Sequence, residues 1–397
     1  MYKIILKKGR EESLKRFHPW VFSGAVAQIV GNPAEGDVVA VYGSDGAFLA
    51  CGHYQVGSIA VRVLSFSSPA LPANFWEIML RRALEVRTAA SLTASEVTNC
   101  YRLVHGEGDN LPGLIIDYYD GVCVMQAHSA GMFRARRQIS DALVAVYGDS
   151  LKAVYDKSSS TAPFKAGLDL VDGYIYRRED FKDASAVVLE NGHQFDVSWT
   201  DGQKTGFFLD QRDNRELVGR YSKGRNVLNL FCYTGGFSIY ALAGGAIHVD
   251  SVDSSRRAMD MVERNVTLNG FDASSHTGIC SDAIEFLRNV PEDKYDLMIV
   301  DPPAFAKHRG ALNNALRAYQ RLNAAAISKV APGGVIFTFS CSQVVDKEAF
   351  ALLVFSAAAQ TGRSVRILDR LGQPADHSVN IYHPEGEYLK GLLLYVE

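Results

Sequence analysis

The sequence predicts an α/β protein whose carboxyl-terminal half is a parallel sheet covered by helices on both faces. Beyond Tyr221, apolar strand-like runs alternate with helical segments, which is the pattern of such a sheet. Glycine or polar side chains follow five of these strands in succession, and ligands of open α/β sheets bind at that edge. Short strands separated by turns fill the first part of the chain and predict a small β-barrel.

The carboxyl-terminal half contains seven predicted strands and five predicted helices. The strands are placed at 227–231, 247–252, 275–280, 297–300, 335–339, 365–371 and 390–396. The helices are placed at about 237–243, 256–269, 283–289, 313–329 and 347–361. The sequence of residues 187–215 predicts a hairpin that runs into the start of a charged helix.

Two smaller domains are predicted before this sheet. Residues 1–72 form the barrel, with strands near 37–41, 48–54 and 59–64 and a basic start that we do not assign to a strand. Residues 73–190 form an α+β domain, in which helices at about 74–91 and 131–146 pack on a sheet. The parallel sheet then occupies residues 191–397.

Composition and charge narrow the class of protein. The 397 residues are 47% hydrophobic and 21% charged, as in an ordinary globular protein. No apolar run approaches the roughly 20 residues of a membrane span, and the charged amino terminus is not a secretory signal. We therefore expect a cytoplasmic protein without membrane contact. Its net charge of −3 requires any nucleic acid to meet a local patch, such as Lys7, Lys8 and Arg10.

The six cysteines are far apart in the sequence. No CxxC pair or Cys/His cluster has zinc-ligand spacing, so we expect free thiols and no metal. Cys51, Cys123 and Cys280 lie in apolar strand-like runs and are predicted to be small core residues. Cys341 differs because it follows a strand within a polar Ser-Cys-Ser turn, where a thiolate can act as a nucleophile.

The first three strand ends carry side chains that suit a nucleoside-containing cofactor. The loop after the first strand contains glycines, which let backbone approach a ligand. An acid after the second strand can accept hydrogen bonds from ribose hydroxyls, and one after the third can meet an adenine amino group. The predicted cofactor residues here are Tyr233, Thr234, Gly235, Gly236, Asp253 and Asp282. The loop is neither GxGxxG nor a P-loop, which disfavours nicotinamide and triphosphate ligands.

The fourth strand end carries Asp301-Pro302-Pro303-Ala304-Phe305. Two consecutive prolines form a rigid extended turn without amide donors. Such a turn can present carbonyls and a carboxylate to a planar base, while the phenylalanine offers a stacking face. Asp301 and Cys341 are therefore expected at one edge of the sheet.

These motifs together resemble class I S-adenosylmethionine-dependent methyltransferases. The matching segments are NLFCYTGGFS, VDSVDSS, CSDAIEFL, VDPPAFA and FTFSCS. More narrowly, the chain resembles the RlmI-like family of 23S rRNA cytosine-5 methyltransferases. RFHPWVFSGAV resembles the start of that family's PUA domain, and residues 206–215 and 376–391 fit its carboxyl-terminal domain. The resemblance implies a Rossmann-like seven-stranded methyltransferase domain, preceded by a PUA barrel and a central α+β domain.

The resemblance also implies a reaction and its participants. S-adenosylmethionine is the expected cofactor and 23S rRNA the expected partner; a homodimer is among the assemblies left open. Gln211, Arg212 and Asp301 resemble positions that border the cofactor. Cys341 is expected to add to carbon 6 of cytosine while Asp301 holds or protonates the ring nitrogen. The base is expected to lie against Pro302, Pro303 and Phe305.

The resemblance leaves parts of the mechanism and function open. Some cytosine-5 RNA methyltransferases have a second cysteine where this chain has Ala304. The RlmI-like group also lacks that cysteine, so the resemblance to it stands. The group that removes the carbon 5 proton is therefore unassigned, with His377 or a water as alternatives. Two other functions also fit: a methyltransferase acting on a base nitrogen, and a non-catalytic RNA-binding assembly factor that kept the fold.

Overall fold

The computed structural model describes residues 2–163, 167–306 and 308–397, without the side chain of Arg309. The chain divides into two compact units. Unit 1 comprises Met1–Val188, Val197–Leu209 and Ala375–Gly386, and unit 2 comprises Leu189–Asp196, Asp210–Pro374 and Glu387–Glu397. The division into 1–72, 73–190 and 191–397 stays a prediction. The observed units differ from it in that two later segments, 197–209 and 375–386, belong with the amino-terminal part.

The first sheet of unit 1 has six strands in the order β2-β6-β5-β4-β1-β3. Its strands are β1 (Tyr2–Leu6), β2 (Trp20–Phe22), β3 (Val26–Val30), β4 (Val38–Tyr42), β5 (Phe48–Tyr54) and β6 (Ile59–Ser65), with the short helix α1 (Glu12–Lys15) after β1. The basic start therefore includes a strand that the sequence analysis missed. Ile4 and Leu6 are fully buried in it, and β1 pairs in parallel with β4.

The second sheet of unit 1 has five strands in the order β11-β10-β9-β8-β7. Its elements are α2 (Phe75–Ala89), β7 (Cys100–His105), β8 (Leu114–Tyr119), β9 (Val122–Ala127), α3 (Ala130–Tyr147), β10 (Ala153–Asp156) and β11 (Gly173–Arg177). Both helices bury apolar faces in one core with the sheet. Helix α3 begins where Ser129 Oγ accepts a hydrogen bond from the Met132 amide at 3.3 Å. The two predicted helices and their sheet are thus present.

A fully buried guanidinium joins distant segments of unit 1. Arg87, on α2, donates to both carboxylate oxygens of Asp109 and, at 2.7 Å, to the Arg102 carbonyl. It also donates to the Asp376 carbonyl at 2.6 Å. Since each of these partners satisfies a buried donor, the charge is tolerated in the interior.

Replacing Arg87 with methionine should destabilise unit 1 by about 3–5 kcal/mol, because the buried carboxylate of Asp109 loses its cation. Tryptophan fluorescence during urea unfolding measures this, since Trp20, Trp76 and Trp199 all lie in unit 1. The matched control is Arg81→Met, which removes an exposed pair with Glu77 and should cost under about 1 kcal/mol. Equal losses in the two variants would contradict the assignment.

The sheet of unit 2 has seven strands in the order β16-β15-β14-β17-β18-β20-β19. The strands are β14 (Asn226–Leu230), β15 (His248–Asp253), β16 (His276–Cys280), β17 (Tyr295–Val300), β18 (Val330–Ser340), β19 (Val365–Leu371) and β20 (Lys390–Val396). The helices are α4 (Arg212–Tyr221), α5 (Gly236–Ala243), α6 (Arg256–Leu268), α7 (Ala283–Asn289), α8 (Leu312–Lys329) and α9 (Lys347–Thr361). The predicted seven-stranded α/β fold is confirmed. The hairpin of β12 (Ser185–Glu190) and β13 (His193–Ser198) has segments in both units.

The central strands of unit 2 place their carboxyl ends in one row. Leu230 pairs with Val300, and Val300 pairs with Thr338. Strands β14 to β18 are mutually parallel, whereas β20 runs antiparallel between β18 and β19. The loops after these parallel strands therefore emerge at the same edge of the sheet.

The cysteines are free thiols, and one of them differs from its predicted burial. Cys51 and Cys123 are buried core residues, as predicted. The prediction of a core position for Cys280 was wrong, because this residue ends β16 at the edge of the sheet and is exposed. Within the described ranges, no helix has the length and apolar character to cross a membrane.

Candidate active site

The loop after β14 has an unusual backbone. Phe231 and Tyr233 have φ angles of 58° and 48°, and Gly235 follows at 79°. Side chains rarely adopt this left-handed region, so the loop is strained, a condition typical of functional sites. A Cβ atom on Gly235 would also lie 2.9 Å from Val262 Cγ1. The position therefore requires glycine for its backbone angle and for close packing.

Hydrogen bonds hold this strained loop in place. The Tyr233 amide donates to Asp253 Oδ2 at 3.1 Å, and Asn265 Nδ2 donates to the Thr234 carbonyl at 2.9 Å. Asp253 ends β15, so its carboxylate links the first two strand ends. Helix α5 starts directly after the loop, with Gly236 as its first residue.

The acid after the third strand serves partly as a helix cap. Asp282 Oδ1 accepts from the Glu285 amide at 2.8 Å at the start of α7. Its loop remains next to that of β15, because the Ser281 amide donates to the Asp253 carbonyl at 3.0 Å. The structure thus brings the loop 233–236, Asp253 and the start of α7 to adjacent positions at one sheet edge.

Asp301 follows β17 and is held by the start of α4. Gln211 Nε2 donates to Asp301 Oδ2 at 2.9 Å, and Gln211 Oε1 accepts from Asn214 at 2.6 Å. Arg212 lies beside the buried carboxylate of Glu190, with its Nε 3.4 Å from Oε2. Gln211 therefore contacts the catalytic candidate directly, whereas Arg212 is part of a buried ion-pair network.

Cys341 lies in a turn that is fixed on both sides. Ser342 Oγ donates to the Ala306 carbonyl at 2.8 Å, which links the cysteine turn to the segment after Asp301. The buried ammonium of Lys390 donates to the carbonyls of Ser342 and Val345 at 2.6 and 2.5 Å. Cys341 itself is half-buried, in a turn whose neighbouring residues are held by these hydrogen bonds.

Burial and neighbouring charges shift the pKa values of three ionisable groups in the site. Burial raises the pKa of the Cys341 thiol to about 11, and the negative charges of Asp301 and Asp210 add to the rise while Lys390 offsets part of it. Burial and Asp210 raise the pKa of Asp301 to about 7, against the hydrogen bond from Gln211. Burial lowers the pKa of Lys390 to about 8. Near neutral pH the thiol is protonated and Asp301 is close to half-protonated.

Two residues of the site were missed by the sequence analysis. Asp210 precedes the selected Gln211, and its Oδ2 accepts from the Tyr388 hydroxyl at 2.7 Å. Its Oδ1 is buried and has no hydrogen-bond partner among the described residues. Lys390 begins β20 opposite Ser340. The position of Asp210 beside Gln211 could have identified it as a site residue from the sequence. Nothing in the sequence distinguishes Lys390, a single lysine at the start of a strand.

The other predicted site residues occupy varied positions. Pro302 is buried and Pro303 exposed, and the Phe305 ring packs 4.6 Å from that of Tyr319. His377 is buried inside unit 1, with Nδ1 3.1 Å from Asp376 Oδ1. The predicted basic patch is exposed in unit 1 and consists of Lys7, Lys8 and Arg10. A further basic position, Lys307, lies outside the described residues.

Comparison with known proteins decides the family. Residues 179–393 match the S-adenosylmethionine-dependent methyltransferase family, and residues 4–66 match the PUA-like domain. The chain belongs to the S-adenosylmethionine-dependent methyltransferase family. Its relatives include proteins named ribosomal RNA large subunit methyltransferase I from Pseudoalteromonas translucida and Aeromonas hydrophila. Each is 41% identical to this methyltransferase, and the alignments cover 98% of both chains.

Solved structures agree with this methyltransferase fold. SMU.776, described as a methyltransferase complexed with SAH, superposes with a TM-score of 0.85 at 24% identity over the whole of both chains. A structure described as a SAM-dependent methyltransferase from Streptococcus mutans gives a TM-score of 0.84 with the same identity and coverage. The PUA-like start and the methyltransferase fold predicted from the motifs are confirmed.

The residues of unit 2 fit S-adenosylmethionine, the cofactor of this family. The strained glycine loop leaves backbone unobstructed by a side chain at Gly235 and Gly236, and Asp253 ends β15, a position from which an acid can accept hydrogen bonds from ribose hydroxyls. The unmatched Oδ1 of Asp210 is a buried acceptor suited to an amino group. The same edge therefore offers acceptors for the hydroxyl and amino groups of the cofactor.

Replacing Lys390 with methionine should slow alkylation of Cys341 by iodoacetamide about 3- to 10-fold at pH 7, where Lys390, with a pKa of about 8, still carries its charge. Loss of this cation raises the thiol pKa and lowers the thiolate fraction. Peptide mass spectrometry gives the rate, with exposed Cys280 as the internal reference. The control is Lys347→Met, which removes an exposed lysine. Reaction of buried Cys51 would reveal unfolding; unchanged Cys341 reactivity in a folded variant contradicts the prediction.

Replacing Asp301 with asparagine should stabilise unit 2. The folded chain binds the Asp301 proton more tightly than the unfolded chain, so ionisation lowers stability as pH rises from 3.8 to about 7. The gain should be roughly 1–3 kcal/mol at pH 8 and shrink as pH falls toward 4. Hydrogen exchange of β17 amides at pH 8 and pH 5 measures it. Exposed Asp293→Asn is the control, and a gain equal at both pH values would refute the cause.

Proposed function

We propose that this chain transfers a methyl group to carbon 5 of a cytosine in large-subunit ribosomal RNA through a covalent Cys341 adduct. The observation that carries the proposal is the pairing of a half-buried thiol with an acid whose raised pKa suits proton transfer near neutral pH. A structural cysteine would need neither the Ser342 and Lys390 contacts around its turn nor a neighbouring acid. The alternative, methylation of a base nitrogen, requires no thiol.

The choice of RNA rests on two further observations. Relatives with 41% identity over nearly the whole chain are named for the large ribosomal subunit RNA. The PUA-like domain carries the exposed cations Lys7, Lys8 and Arg10, which suit phosphate groups in a chain whose net charge is −3. The target base must leave its stack to reach a cysteine at a sheet edge.

The first chemical step is addition of the thiol to the base. Asp301 accepts the Cys341 proton, and the thiolate forms a bond to carbon 6 of cytosine. Asp301 then delivers that proton to ring nitrogen 3, so the electrons of the former double bond make carbon 5 nucleophilic. The pKa of about 7 lets this carboxyl act in both directions at neutral pH.

S-adenosylmethionine, when bound, supplies the electrophilic methyl group to which carbon 5 forms its new bond. The chain's own residues then reverse the addition. A base removes the carbon 5 proton, the carbon 5–carbon 6 double bond reforms, and the sulfur–carbon 6 bond breaks to release the Cys341 thiolate. Ring nitrogen 3 returns its proton to Asp301, which passes it back to the thiolate. Lys390 lowers the thiol pKa, which makes the thiolate a better leaving group.

Replacing Cys341 with alanine should lower carbon 5 methylation of rRNA fragments at least about 1,000-fold, equivalent to ~4 kcal/mol of transition-state stabilisation. Mass spectrometry of digested nucleosides identifies the product and its methylated atom. Exposed Cys280→Ala is the control and should retain activity. RNA carrying 5-fluorocytosine should trap a covalent adduct with the wild-type chain and not with Cys341→Ala, because fluorine blocks the loss of the carbon 5 proton.

Each competing function predicts a different result. Methylated cytosine that is unaffected by Cys341→Ala, with the methyl on nitrogen, would favour the base-nitrogen enzyme. Intact RNA binding without binding of S-adenosylmethionine in calorimetry would favour an assembly factor. Carbon 5 methylation that persists in Cys341→Ala would refute the covalent role of the cysteine and leave the proposed carbon 5 specificity standing.

A further inference from the structure

A cluster of potential metal ligands lies in unit 1, whereas the candidate active site lies in unit 2. It contains His18, His383 and Glu385, whose ligand atoms lie within 4.8 Å of one another. His18 precedes β2 in the barrel sheet, and the other two belong to the late segment 375–386. The sequence predicted no metal, because positions 18 and 383 are 365 residues apart and show none of the short spacings of common zinc sites.

The imidazole of His383 is buried without hydrogen bonds to the described residues. The residue is only 3% exposed, and neither ring nitrogen has a hydrogen-bond partner among the described residues. Its Nε2 lies 3.8 Å from Glu385 Oε2, which is beyond hydrogen-bond distance. A buried imidazole without partners costs free energy. A ligand between these two atoms would remove that cost.

His18 is oriented toward the same place by its own backbone. The Trp20 amide donates to its Nδ1 at 3.2 Å, and that nitrogen also lies 3.4 Å from the Trp20 carbonyl oxygen. A metal at Nε2 would place the ring proton on Nδ1, which would then donate to this carbonyl, as in most metal-bound histidines. The rings of His18 and His383 are 5.6 Å apart, and Trp20 packs against His383 at 4.3 Å.

The donor set selects a class of metal. Two imidazole nitrogens and one carboxylate oxygen suit Zn²⁺ and similar divalent ions, whereas Mg²⁺ and Ca²⁺ prefer oxygen ligands. Tetrahedral zinc holds its ligand atoms roughly 3.3 Å apart, so the cluster must contract on binding. Glu385 is exposed and can make that movement.

We propose that His18, His383 and Glu385 form a zinc-type site that fastens the segment 375–386 to the barrel within unit 1. The proposal is independent of the methyl-transfer chemistry. The three protein ligands leave a fourth position for water. Bound metal would join two parts of the chain that are remote in sequence and would hold Trp20, whose indole also donates to Glu107 at 2.9 Å.

The test uses the full chain, stripped with a chelator and titrated with Zn²⁺. Tryptophan fluorescence follows binding, because Trp20 contacts His383, and Co²⁺ absorption reports the coordination geometry. We expect one ion per chain with a Kd below about 10 μM. The thermal midpoint of tryptophan fluorescence, a signal confined to unit 1, should rise with Zn²⁺.

Single substitutions decide whether the ion occupies this site. His383→Ala and His18→Ala should each weaken zinc binding at least tenfold, and so should Glu385→Gln, which changes an exposed side chain and leaves the interior intact. His308→Ala, at an exposed histidine of unit 2, is the control. Binding that survives all three substitutions, or no binding at millimolar Zn²⁺, would overturn the proposal. Circular dichroism of His383→Ala separates loss of a ligand from loss of the fold.

Discussion

The arrangement of unit 2 depends on the hydrogen bonds that the buried carboxylate of Glu190 accepts. It accepts two hydrogen bonds from Arg215, at 2.8 and 2.7 Å, and one from the Tyr240 hydroxyl at 3.1 Å. These contacts join β12 to α4 and α5. Helix α4 starts beside Gln211, which holds Asp301, and α5 starts at the loop 233–236. One buried acid therefore links the helices that begin at the two halves of the candidate site, and its burial makes loss of a partner costly.

The fold could be predicted from the sequence wherever local residues mark the limits of a segment. The bounds of α7, α9, β19 and β20 agree with prediction, and the two helices start after the capping residues Asp282 and Asp346. Strand β18 begins at Val330, whereas the prediction placed its start at 335. The prediction was late because Pro332 and the two glycines after it indicate a turn. Strand β1 was missed because its Lys3 was counted with the basic residues that follow, although the buried Ile4 and Leu6 alternate with the less buried Lys3 and Ile5.

The site could be predicted only as far as chain topology determines it. Parallel strands bring their carboxyl ends together, so Asp253, Asp301 and Cys341 were accessible to sequence reasoning. Contacts between distant segments were not. Lys390 reaches the Cys341 turn from an antiparallel strand, and His383 faces a histidine near the other end of the chain. The left-handed angles of Phe231 and Tyr233 also escaped prediction, because neither residue type signals them.

The return of residues 375–386 to unit 1 has a consequence for biosynthesis. Arg87 is enclosed by Asp109 and by the carbonyl of Asp376. A nascent chain that has emerged through residue 209 contains both sheets of unit 1 and lacks this last acceptor. The amino-terminal unit therefore cannot complete its interior until the methyltransferase sheet has almost entirely left the ribosome. Its final folding step must therefore wait for most of the methyltransferase sheet to be synthesised, although its own strands are among the first to be made.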